Sequence, residues 1–410
     1  MSSEPRGITA ADWEPWYQAL DWAFGGIAES TEERRLWRGL VALDRCLGIY
    51  DEGQVVGTYG EFALGLTVPG GAVLEAGGVT MVSVAGTHRR RGLLRRMMAR
   101  GLAAARERGD VLSVLTAAEP GIYGRFGYGV AARSLSAELD KRQVGLVNLP
   151  PGTDEVRLRV TTPAEALPAC EAVYAELAGR RPGMLERRPG WERLGLLDPP
   201  AERGGASERR CVLAERDGRV VGYARYASRV EWRATVPGGP VLVKDLDATE
   251  PAGYAALLRY LLDLDLTDRV RLAGRPVDDP LTQWVSDVRR ADLTLRDRLY
   301  LRPVELGGAL AGRRYATEVD VVLAVTDDFC PWNSGRWRLT GGPAGAVCER
   351  TTDPAELTLD VRVLSTAYLG DATLGALAAA GLVGEERAGA LAAASVAFGH
   401  PLAPWLPHGF

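Results

Sequence analysis

A turn of three arginines and a glycine is the most chemically informative part of the chain. These residues, 89–92, follow an apolar run at 79–84 that has the length and β-branched content of a buried strand. Apolar side chains then recur at helical spacing as far as Gly109, which predicts an amphipathic helix. The first turn of such a helix has free N–H groups and a positive dipole end beside the guanidinium groups. This arrangement is typical of a phosphate site.

A Gly/Tyr-rich segment follows the next apolar run, 111–115, which predicts a second buried strand. Neighbouring parallel strands with a phosphate loop between them form a ligand cleft in α/β proteins. Taken alone, the arginine turn is slightly better explained as the solvated start of a helix, and its pairing with the segment around Tyr123 favours binding. The sequence contains neither a GxGxxG nor a GxxxxGK[ST] motif.

Together these segments resemble the enhanced intracellular survival (Eis) family of bacterial acetyltransferases in the GNAT superfamily. Residues 89–94 follow the R-x-x-G-x-[GAL] coenzyme A loop of that superfamily. THRRRGLL and GIYGRFGYG stand in the order and spacing of the Eis family. The resemblance extends over the whole chain and is weaker in its second part. It implies a mixed α/β (α+β) fold of tandem GNAT-type domains followed by a sterol carrier protein-like domain.

The length of 410 residues predicts two or three domains. The resemblance divides the chain into three. An N-terminal GNAT domain at 1–150, the first copy, binds acetyl-CoA and is catalytic. A second GNAT-like domain at 151–302, the second copy, lacks a coenzyme site. A sterol carrier protein-like domain at 303–410 supplies the C-terminal carboxylate.

The third domain shows strand-like runs followed by Ala/Leu-rich helical segments. The strand-like runs are 318–325, 336–339 and 357–363, and the helical segments are 369–380 and 385–398. The resemblance relates this region to the sterol carrier protein fold, and the segment VLSTAYLGDATLGALAAAG to the helical end of that fold. Ordinary helical packing explains the helical pattern equally well.

The second copy repeats the first in outline. LAERDGRVVGYARY, with Asp217 and Gly218 at its turn, echoes IYDEGQVVGTYGEF, which has Glu52 and Gly53 at its turn. In place of the arginine turn, the second copy has a proline and a cluster of acidic residues: Asp245, Asp247, Glu250 and Pro251. We expect this cluster to repel a pyrophosphate, so that the second copy keeps the fold and lacks the coenzyme.

The resemblance assigns acetyl-CoA to the strand, the arginine turn and the start of the helix. The strand backbone pairs with the amide-rich pantetheine arm, and the turn takes the pyrophosphate. The expected coenzyme-binding residues are Val82, Ser83, Val84, Arg89, Arg90, Arg91, Gly92, Leu93, Leu94 and Glu119. Without the motifs, these residues would be explained as β-core and solvated arginines.

The resemblance also assigns the catalytic groups. Tyr123 occupies the GIYG position of the family's general acid, and a phenol with a pKa of about 10 is protonated at neutral pH. The carboxylate of Phe410 is the expected base. With a reference pKa of about 3.5 it is a weak base that acts by way of a water chain. Without the resemblance, Tyr123 would be a packing residue and Phe410 a frayed end.

The acceptor pocket is less well defined. Trp22, Phe24 and Trp37 are the expected wall of an amine pocket, although aromatic residues on a helix more often belong to the core. Aminoglycoside-modifying members of the family have acidic residues around the pocket, one of them beside the terminal Phe. Here that neighbour is Gly409, and the nearest acids to Phe24 are Asp21 and Glu29. These departures count against polycationic antibiotics and leave smaller amines open as acceptors.

Composition excludes several other classes of protein. A net charge of -4 and a pI of about 5.7 argue against nucleic acid as a partner. No apolar segment has the length of a signal peptide or a membrane span, so we expect a cytoplasmic protein with no membrane partner. Five scattered cysteines predict reduced thiols, and three histidines without an HExxH motif predict no metal site. No GxSxG elbow supports a hydrolase.

The sequence therefore predicts an acetyl-CoA-dependent N-acetyltransferase that acts on a small-molecule amine, aminoglycoside-like or other, by direct attack. The resemblance further implies a homo-hexamer. The main alternative is a non-catalytic coenzyme- or lipid-binding protein that uses the sterol carrier-like domain. Release of free thiol from acetyl-CoA in the presence of amines distinguishes the two.

Overall fold

A computed structural model of the protein describes residues 4–26 and 29–410. The described residues of the first part of the chain form six strands and three α-helices. The strands are β1 (Arg6–Gly7), β2 (Leu47–Asp51), β3 (Gln54–Thr67), β4 (Val73–Val84), β5 (Leu112–Leu115) and β6 (Gly129–Asp140). The helices are α1 (Trp13–Ala23), α2 (Thr31–Leu40) and α3 (Leu93–Arg108).

The middle part repeats the pattern of strands around a central helix. Its strands are β7 (Arg157–Thr161), β8 (Leu185–Glu186), β9 (Arg210–Arg216), β10 (Arg219–Ser228), β11 (Glu231–Arg233), β12 (Val236–Gly238), β13 (Pro240–Ala248), β14 (Arg269–Arg275) and β15 (Thr294–Pro303). Its helices are α4 (Pro163–Ala178), α5 (Pro251–Asp263) and α6 (Leu281–Trp284).

The last part is built on a separate sheet of strand order β18-β17-β16-β19-β20. Its strands are β16 (Val319–Thr326), β17 (Gly335–Gly342), β18 (Gly345–Arg350), β19 (Leu357–Asp360) and β20 (Val383–Glu385). Its helices are α7 (Leu306–Ala311), α8 (Val361–Ala367), α9 (Leu374–Ala379) and α10 (Ala390–Ala397).

One large sheet joins the first and middle parts of the chain. Among the described residues its order is β1-β2-β3-β4-β5-β15-β6-β14-β13-β10-β9-β7, with β8 beside β3. β15, from the end of the middle part, lies between β5 and β6 and is antiparallel to both. β6 pairs in turn with β14. The last strands of the two copies therefore alternate within one sheet. The domain boundaries at residues 150 and 302, drawn from the sequence, stay a prediction.

The repeat predicted from the sequence is confirmed at its hairpins. Glu52 and Gly53 join β2 to β3 with φ angles of 48° and 82°. Asp217 and Gly218 join β9 to β10 with φ angles of 51° and 76°. Two consecutive left-handed residues form the type I′ turn that matches the twist of a hairpin. The strand, helix and strand predicted around the arginine turn are β4, α3 and β5, and α3 ends at Gly109 as expected.

Three predictions for the last part were wrong in detail, and the first is the segment 369–380, of which only Leu374–Ala379 (α9) is helical. The run 357–363 is not one strand, because β19 ends at Asp360 and α8 begins at Val361. The Asp360 carboxylate accepts a hydrogen bond from the Arg362 N–H at 2.8 Å, which caps the helix. The segment 385–398 is not one helix, because its first residue belongs to β20 and α10 begins only at Ala390.

Buried apolar side chains tie the first and last parts into one core. Trp16 on α1, Leu112 on β5 and Leu323 on β16 belong to the same buried cluster and are fully inaccessible. The middle part has a core of its own, which includes Leu257 and Leu272. In the described ranges no helix combines the length and the apolar character needed to cross a bilayer. Those ranges also contain no group of three or more acidic, His or Cys side chains placed to hold a metal ion.

Candidate active site

The candidate coenzyme cleft begins where β4 and β5 separate. Their parallel residue pairs are Ala76 with Leu112, Gly77 with Ser113 and Gly78 with Val114. β4 continues beyond this point to Val84 and pairs there with β3 on its other side. One edge of residues 79–84 therefore presents backbone N–H and C=O groups to the gap. An amide-rich ligand can pair with such an edge as another strand would.

A β-bulge at Met81 shapes this edge. Met81 has a φ of 53°, and the pairing of β3 with β4 shifts register between Thr58 and Gly60. The Thr58 hydroxyl donates to the Met81 carbonyl at 2.8 Å and lies 2.7 Å from the Ser83 hydroxyl. The Ser83 side chain is thus bonded to the neighbouring strand. Val82 and Val84 are half-buried against the core, so the backbone of 82–84 is the part that can bind a ligand.

Left-handed residues bend the arginine turn into a concave backbone surface. Arg90 has a φ of 62° and Gly92 a φ of 78°. A left-handed residue beside a helical one turns successive N–H groups toward one concavity, which is a common anion site. Buried Leu93 and half-buried Leu94 hold the start of α3 on the core, and no side chain caps the helix there. Its first N–H groups, with exposed Arg89 and Arg91, fit a pyrophosphate.

His88 ties this turn to the hairpin. Its Nε2 lies 2.9 Å from the Asp51 carboxylate at the end of β2, and its Nδ1 lies 2.8 Å from the Thr87 hydroxyl. The Arg91 guanidinium donates to the Thr87 carbonyl at 3.1 Å. These bonds fix the turn from both sides. His88 therefore belongs to the structure of the turn and not to a proton-transfer pair.

Tyr123, the expected general acid, begins the short 3-10 helix Tyr123–Phe126 in the loop after β5. Its ring is half-buried and meets the ring of Tyr128 edge-on, with centroids 6.1 Å apart. Burial and the negative charge of nearby Glu119 raise the pKa of Tyr123 to about 12. The phenol therefore keeps its proton throughout the neutral range, as a proton donor requires.

Phe410 lies at the point where β4 and β5 separate. Its carboxyl oxygen accepts a hydrogen bond from the Thr116 hydroxyl at 3.4 Å, across 294 positions of sequence. A Cβ on Gly78 would collide with the Leu64 side chain and lie 3.2 Å from the Phe410 ring, so the glycine leaves room for both. Thr116 directly follows β5, the strand that leads to the Tyr123 loop. The fold thus brings the Phe410 carboxyl group to the end of β5, the strand that leads into the Tyr123 loop.

An aromatic cluster stands beside Phe410 and consists of Trp37, Phe62 and Trp191. Phe62 meets Phe410 edge-on at 6.4 Å and Trp191 at 5.0 Å. Trp37 packs on both, at 5.9 Å from Phe62 and 6.4 Å from Trp191. The Trp37 indole donates to the Glu33 carboxylate at 3.3 Å. Edge-to-face geometry of this kind is favourable and builds a fixed wall.

The other two expected wall residues lie apart from this cluster. Trp22 is 73 % exposed and Phe24 is 56 % exposed, at the end of α1. The two acids expected near them are engaged in local contacts. Asp21 pairs with Arg34 at 3.3 Å, and Glu29 accepts a hydrogen bond from the Tyr17 hydroxyl. Of the predicted wall, the structure brings only Trp37 to the side of Phe410.

The acidic cluster of the second copy needs a correction. Asp245 pairs with Arg225 at 2.7 Å and Asp247 with Arg275 at 3.3 Å, and both arginines are buried. These two acids are neutralised inside the protein and do not form a repelling surface. Glu250 is the N-cap residue of α5, but its side chain makes no capping hydrogen bond and pairs with Arg216 and Arg219. Repulsion by a bare acidic cluster was therefore the wrong physical reason.

Sequence reasoning missed Phe62, Thr116 and Trp191. The pair Gly77 and Gly78 marks a close approach of other groups to β4, but these are Glu61, Leu64 and the Phe410 ring, so the glycines gave no signal for Phe62. Phe62 lies directly opposite Gly78 in the sheet. Thr116 and Trp191 have no local signal, since their role arises from the approach of distant segments.

Comparisons with known proteins agree with this geometry. Residues 4–131 and 183–302 match two families described as acetyltransferase (GNAT) domain, and residues 306–407 match the sterol carrier protein domain. An uncharacterized N-acetyltransferase of Streptomyces coelicolor is 55% identical over 414 residues and covers 100% of both chains. The N-acetyltransferase Eis of Mycobacterium tuberculosis is 35% identical over 361 residues, which is 85% of each chain.

Solved structures show the same fold. Eis1 from Mycobacterium abscessus superposes with a TM-score of 0.84 at 30% identity and covers 99% of this chain and 100% of its own. A GCN5-related N-acetyltransferase from Anabaena variabilis has a TM-score of 0.83 at 20% identity and covers 99% of this chain and 100% of its own, a likeness of fold. The protein is an acetyl-transferring enzyme of mixed α/β fold, with two GNAT domains and a C-terminal sterol carrier protein-like domain. The chain belongs to the Eis-like N-acetyltransferases of the GNAT superfamily.

Proposed function

We propose that the protein transfers the acetyl group of acetyl-CoA to the amine of a small molecule by direct attack, with Tyr123 as general acid and the Phe410 carboxylate as base. The observation that carries the proposal is the bond between Thr116 and the Phe410 carboxyl group at the opening between β4 and β5. In this proposal the Phe410 carboxylate and the protonated phenol of Tyr123 serve one cleft, which fits a coenzyme. Such a pair of groups suits amine acetylation.

The residues around the cleft fit acetyl-CoA, which supplies an activated acetyl thioester when bound. The free backbone edge at Val82 and Val84 suits the pantetheine arm. The concave turn of Arg89 to Gly92, with the first N–H groups of α3 at Leu93 and Leu94, suits the pyrophosphate. In this proposal the backbone of Ser83 completes the strand edge, and Arg90, Arg91 and Glu119 border the site.

The proton transfers are divided between the two ends of the reaction. The Phe410 carboxylate attracts the acceptor ammonium and takes its proton, by way of water because its reference pKa of about 3.5 makes it a weak base. Tyr123 donates its phenolic proton to the thiolate that leaves. A pKa of about 12 keeps the phenol protonated until that moment. General acid–base help of this kind is worth about 10²–10⁴ in rate.

The acceptor class follows from what lies beside Phe410. Phe62 and Trp191 are buried, so the half-buried ring of Trp37, bonded to the Glu33 carboxylate, is the part of the aromatic cluster that can offer an apolar, π-rich surface. Such a wall favours an amine with an apolar or aromatic body, because cations and apolar groups both bind aromatic faces. Gly409 adds no charge beside the terminal carboxylate. We therefore place single amines with apolar bodies above aminoglycoside-like polycations as substrates, and keep Trp22 and Phe24 as candidates for the outer wall.

The decisive experiment measures free thiol. Purified protein with acetyl-CoA is given a panel of arylalkylamines, alkyl monoamines, polyamines and aminoglycosides, and thiol release is followed against an amine-free control. We expect amine-dependent release, strongest with the aromatic monoamines. Tight acetyl-CoA binding without release for any amine would overturn the proposal in favour of a non-catalytic coenzyme- or lipid-binding protein. Strongest release with aminoglycosides would overturn the acceptor assignment alone.

Assembly as a cytoplasmic homo-hexamer is part of the same proposal and is supported by the family resemblance. The structure adds an exposed apolar surface on the β11–β12 hairpin, where Trp232 is 63 % exposed beside Val230 and Val236. Monomers seldom leave such groups to water. Light scattering of the parent and of Trp232→Ser tests the hexamer. The substitution should lower the molar mass of the assembly, and a monomeric parent would refute the hexamer.

A further inference from the structure

The segment that ends in Phe410 is bound to the second copy before it reaches the first. The Ala403 carbonyl accepts a hydrogen bond from Arg181 at 2.8 Å, and the Ala403 N–H donates to Asp278 at 3.0 Å. The Trp405 N–H donates to the Pro182 carbonyl at 2.8 Å. These partners all lie within the second copy. We call residues 403–410 the tail.

The second copy has a gap that corresponds to the coenzyme cleft of the first. β13 and β14 pair in parallel as far as Val243 and Leu272, while β13 continues to Ala248. Arg275 on β14 pairs with Asp247 on β13 at 3.3 Å and with Asp279 at 2.9 Å. The ion pair thus spans the strands where they have separated. In the first copy, the corresponding space is the proposed coenzyme cleft.

Trp405 closes this second gap from the side of the tail. Its buried indole has the Arg275 guanidinium over its ring, 4.8 Å from the centroid, and its N–H donates to the Gly274 carbonyl at 2.6 Å. Gly274 has a φ of 66° and lies in the irregular stretch of β14. A side chain of the tail therefore uses a backbone group of the second copy at the place where a coenzyme would need one.

The rest of the tail follows from this anchor. The Leu406 carbonyl accepts a hydrogen bond from Arg298 at 3.1 Å. The His408 ring packs between Tyr174 and Trp191, at 6.0 and 6.1 Å. At Phe410 the tail contacts groups of the first copy, Thr116 and Phe62 among them.

We propose that the second copy has exchanged coenzyme binding for a positioning role, in which Trp405, held by Gly274 and Arg275, is a positioning residue that fixes where the Phe410 carboxylate lies. This inference rests on the proposed role of that carboxylate. A released end of five residues spans up to about 17 Å, far more than the tolerance of a proton transfer. The anchor reduces that range to one position beside Thr116.

The first test replaces Trp405 by Ala, with Trp332→Ala as the matched control. Trp332 also has an arginine over its ring, at 5.0 Å, and also donates its indole N–H to a backbone carbonyl, at 2.8 Å, but it lies in the last part of the chain. We expect Trp405→Ala to lower kcat for thiol release about 10- to 100-fold with unchanged acetyl-CoA affinity, and Trp332→Ala to match the parent. Parent-like turnover of Trp405→Ala would refute the inference.

A double-variant cycle separates positioning from general damage. One glycine added after Phe410 already displaces the carboxylate. In this extended chain, Trp405→Ala should therefore lower kcat no further. If the losses in kcat of the two single variants multiply in the double variant, Trp405 acts on the fold in general and not on the position of the carboxylate. If Trp405→Ala does not fold, Trp405→Phe keeps an aromatic ring, removes the indole N–H donor, and is taken through the same cycle.

The last readout does not depend on catalysis. A carboxypeptidase with a preference for aromatic ends should release Phe410 faster from Trp405→Ala than from the parent or from Trp332→Ala. Equal rates in all three would refute the anchor. If the glycine-extended parent is fully active, the proposed role of the carboxylate fails, and the release of Phe410 then decides the anchor by itself.

Discussion

At the scale of single residues, two tyrosines near one loop have different environments. Tyr128 is fully buried, with its hydroxyl 2.6 Å from the Ser113 hydroxyl. Tyr123 is half-buried at the start of its helical turn, beside Glu119. A phenol already bonded inside the core has no free path to a leaving group. The structure therefore supports Tyr123, and not Tyr128, as the proton donor.

We predict that Tyr123→Phe lowers kcat at least about 100-fold and leaves acetyl-CoA affinity unchanged, because the ring stays and only the proton donor is lost. Thiol-release assays measure kcat, and calorimetric titration with acetyl-CoA measures the affinity. Tyr128→Phe is the control, with turnover within about threefold of the parent and a lower melting temperature from its lost hydrogen bond. Equal loss of affinity and turnover in Tyr123→Phe would mean that Tyr123 only packs.

At the scale of elements, α3 carries a left-handed glycine at each end. Gly92 precedes it with a φ of 78° and Gly109 follows it with a φ of 85°, and a Cβ at either position would meet no neighbour within 4 Å. Space is therefore not the reason for glycine at these positions. The backbone conformation is, since a Cβ in the left-handed region costs about 1 kcal/mol or more.

We predict that Gly92→Ala and Gly109→Ala destabilise the protein similarly, by about 1 kcal/mol, and that only Gly92→Ala weakens coenzyme binding. Gly92 shapes the concave turn, whereas Gly109 lies at the far end of the same helix. Chemical unfolding gives the stability change, and titration with acetyl-CoA gives the dissociation constant. Unchanged affinity in Gly92→Ala would remove the turn from the coenzyme site.

Local pattern predicted the elements of the first copy well, because each has a strong local cause. β4, α3 and β5 follow apolar periodicity, and their junctions fall at glycines with positive φ. The last part was predicted less well. Asp360 can end a strand or cap a helix, and only its bond to the Arg362 N–H shows that it caps α8. Glu385, in β20, pairs with Leu357 of β19, and this non-local contact outweighed helical propensity.

At the scale of the whole molecule, the site is made by segments that no local pattern connects. Thr116 and Phe410 are separated by 294 positions. Trp191, which belongs to the second copy, packs against Phe62 of the first. Resemblance to a family supplied the role of Phe410, and residue chemistry alone would have left it as a chain end. The anchor at Trp405 had no sequence signal, because its partners Gly274 and Arg275 are ordinary strand residues until the fold brings the tail to them.

The buried tail makes stability depend on pH. Burial, with the charges of Arg187 and Arg298, lowers the pKa of His408 to about 3. Between pH 6.5 and about 3 the unfolded chain binds a proton that the folded His408 does not, so the free energy of unfolding falls by at most about 1.4 kcal/mol per pH unit. Urea unfolding of the parent should therefore weaken more steeply from pH 6.5 to 4 than that of His408→Gln. Parallel curves would contradict this prediction.

The place of β15 between β5 and β6 has a consequence for how the protein is made. A ribosome that has finished residue 150 has produced both of these strands, but not the one that joins them, which comes only with residues 294–303. At about 5–20 residues per second, the nascent chain carries two open inner sheet edges for about ten seconds or more. Fragments that end before residue 303 should share this exposure permanently, so we expect them to aggregate or to need a chaperone, however complete their motifs.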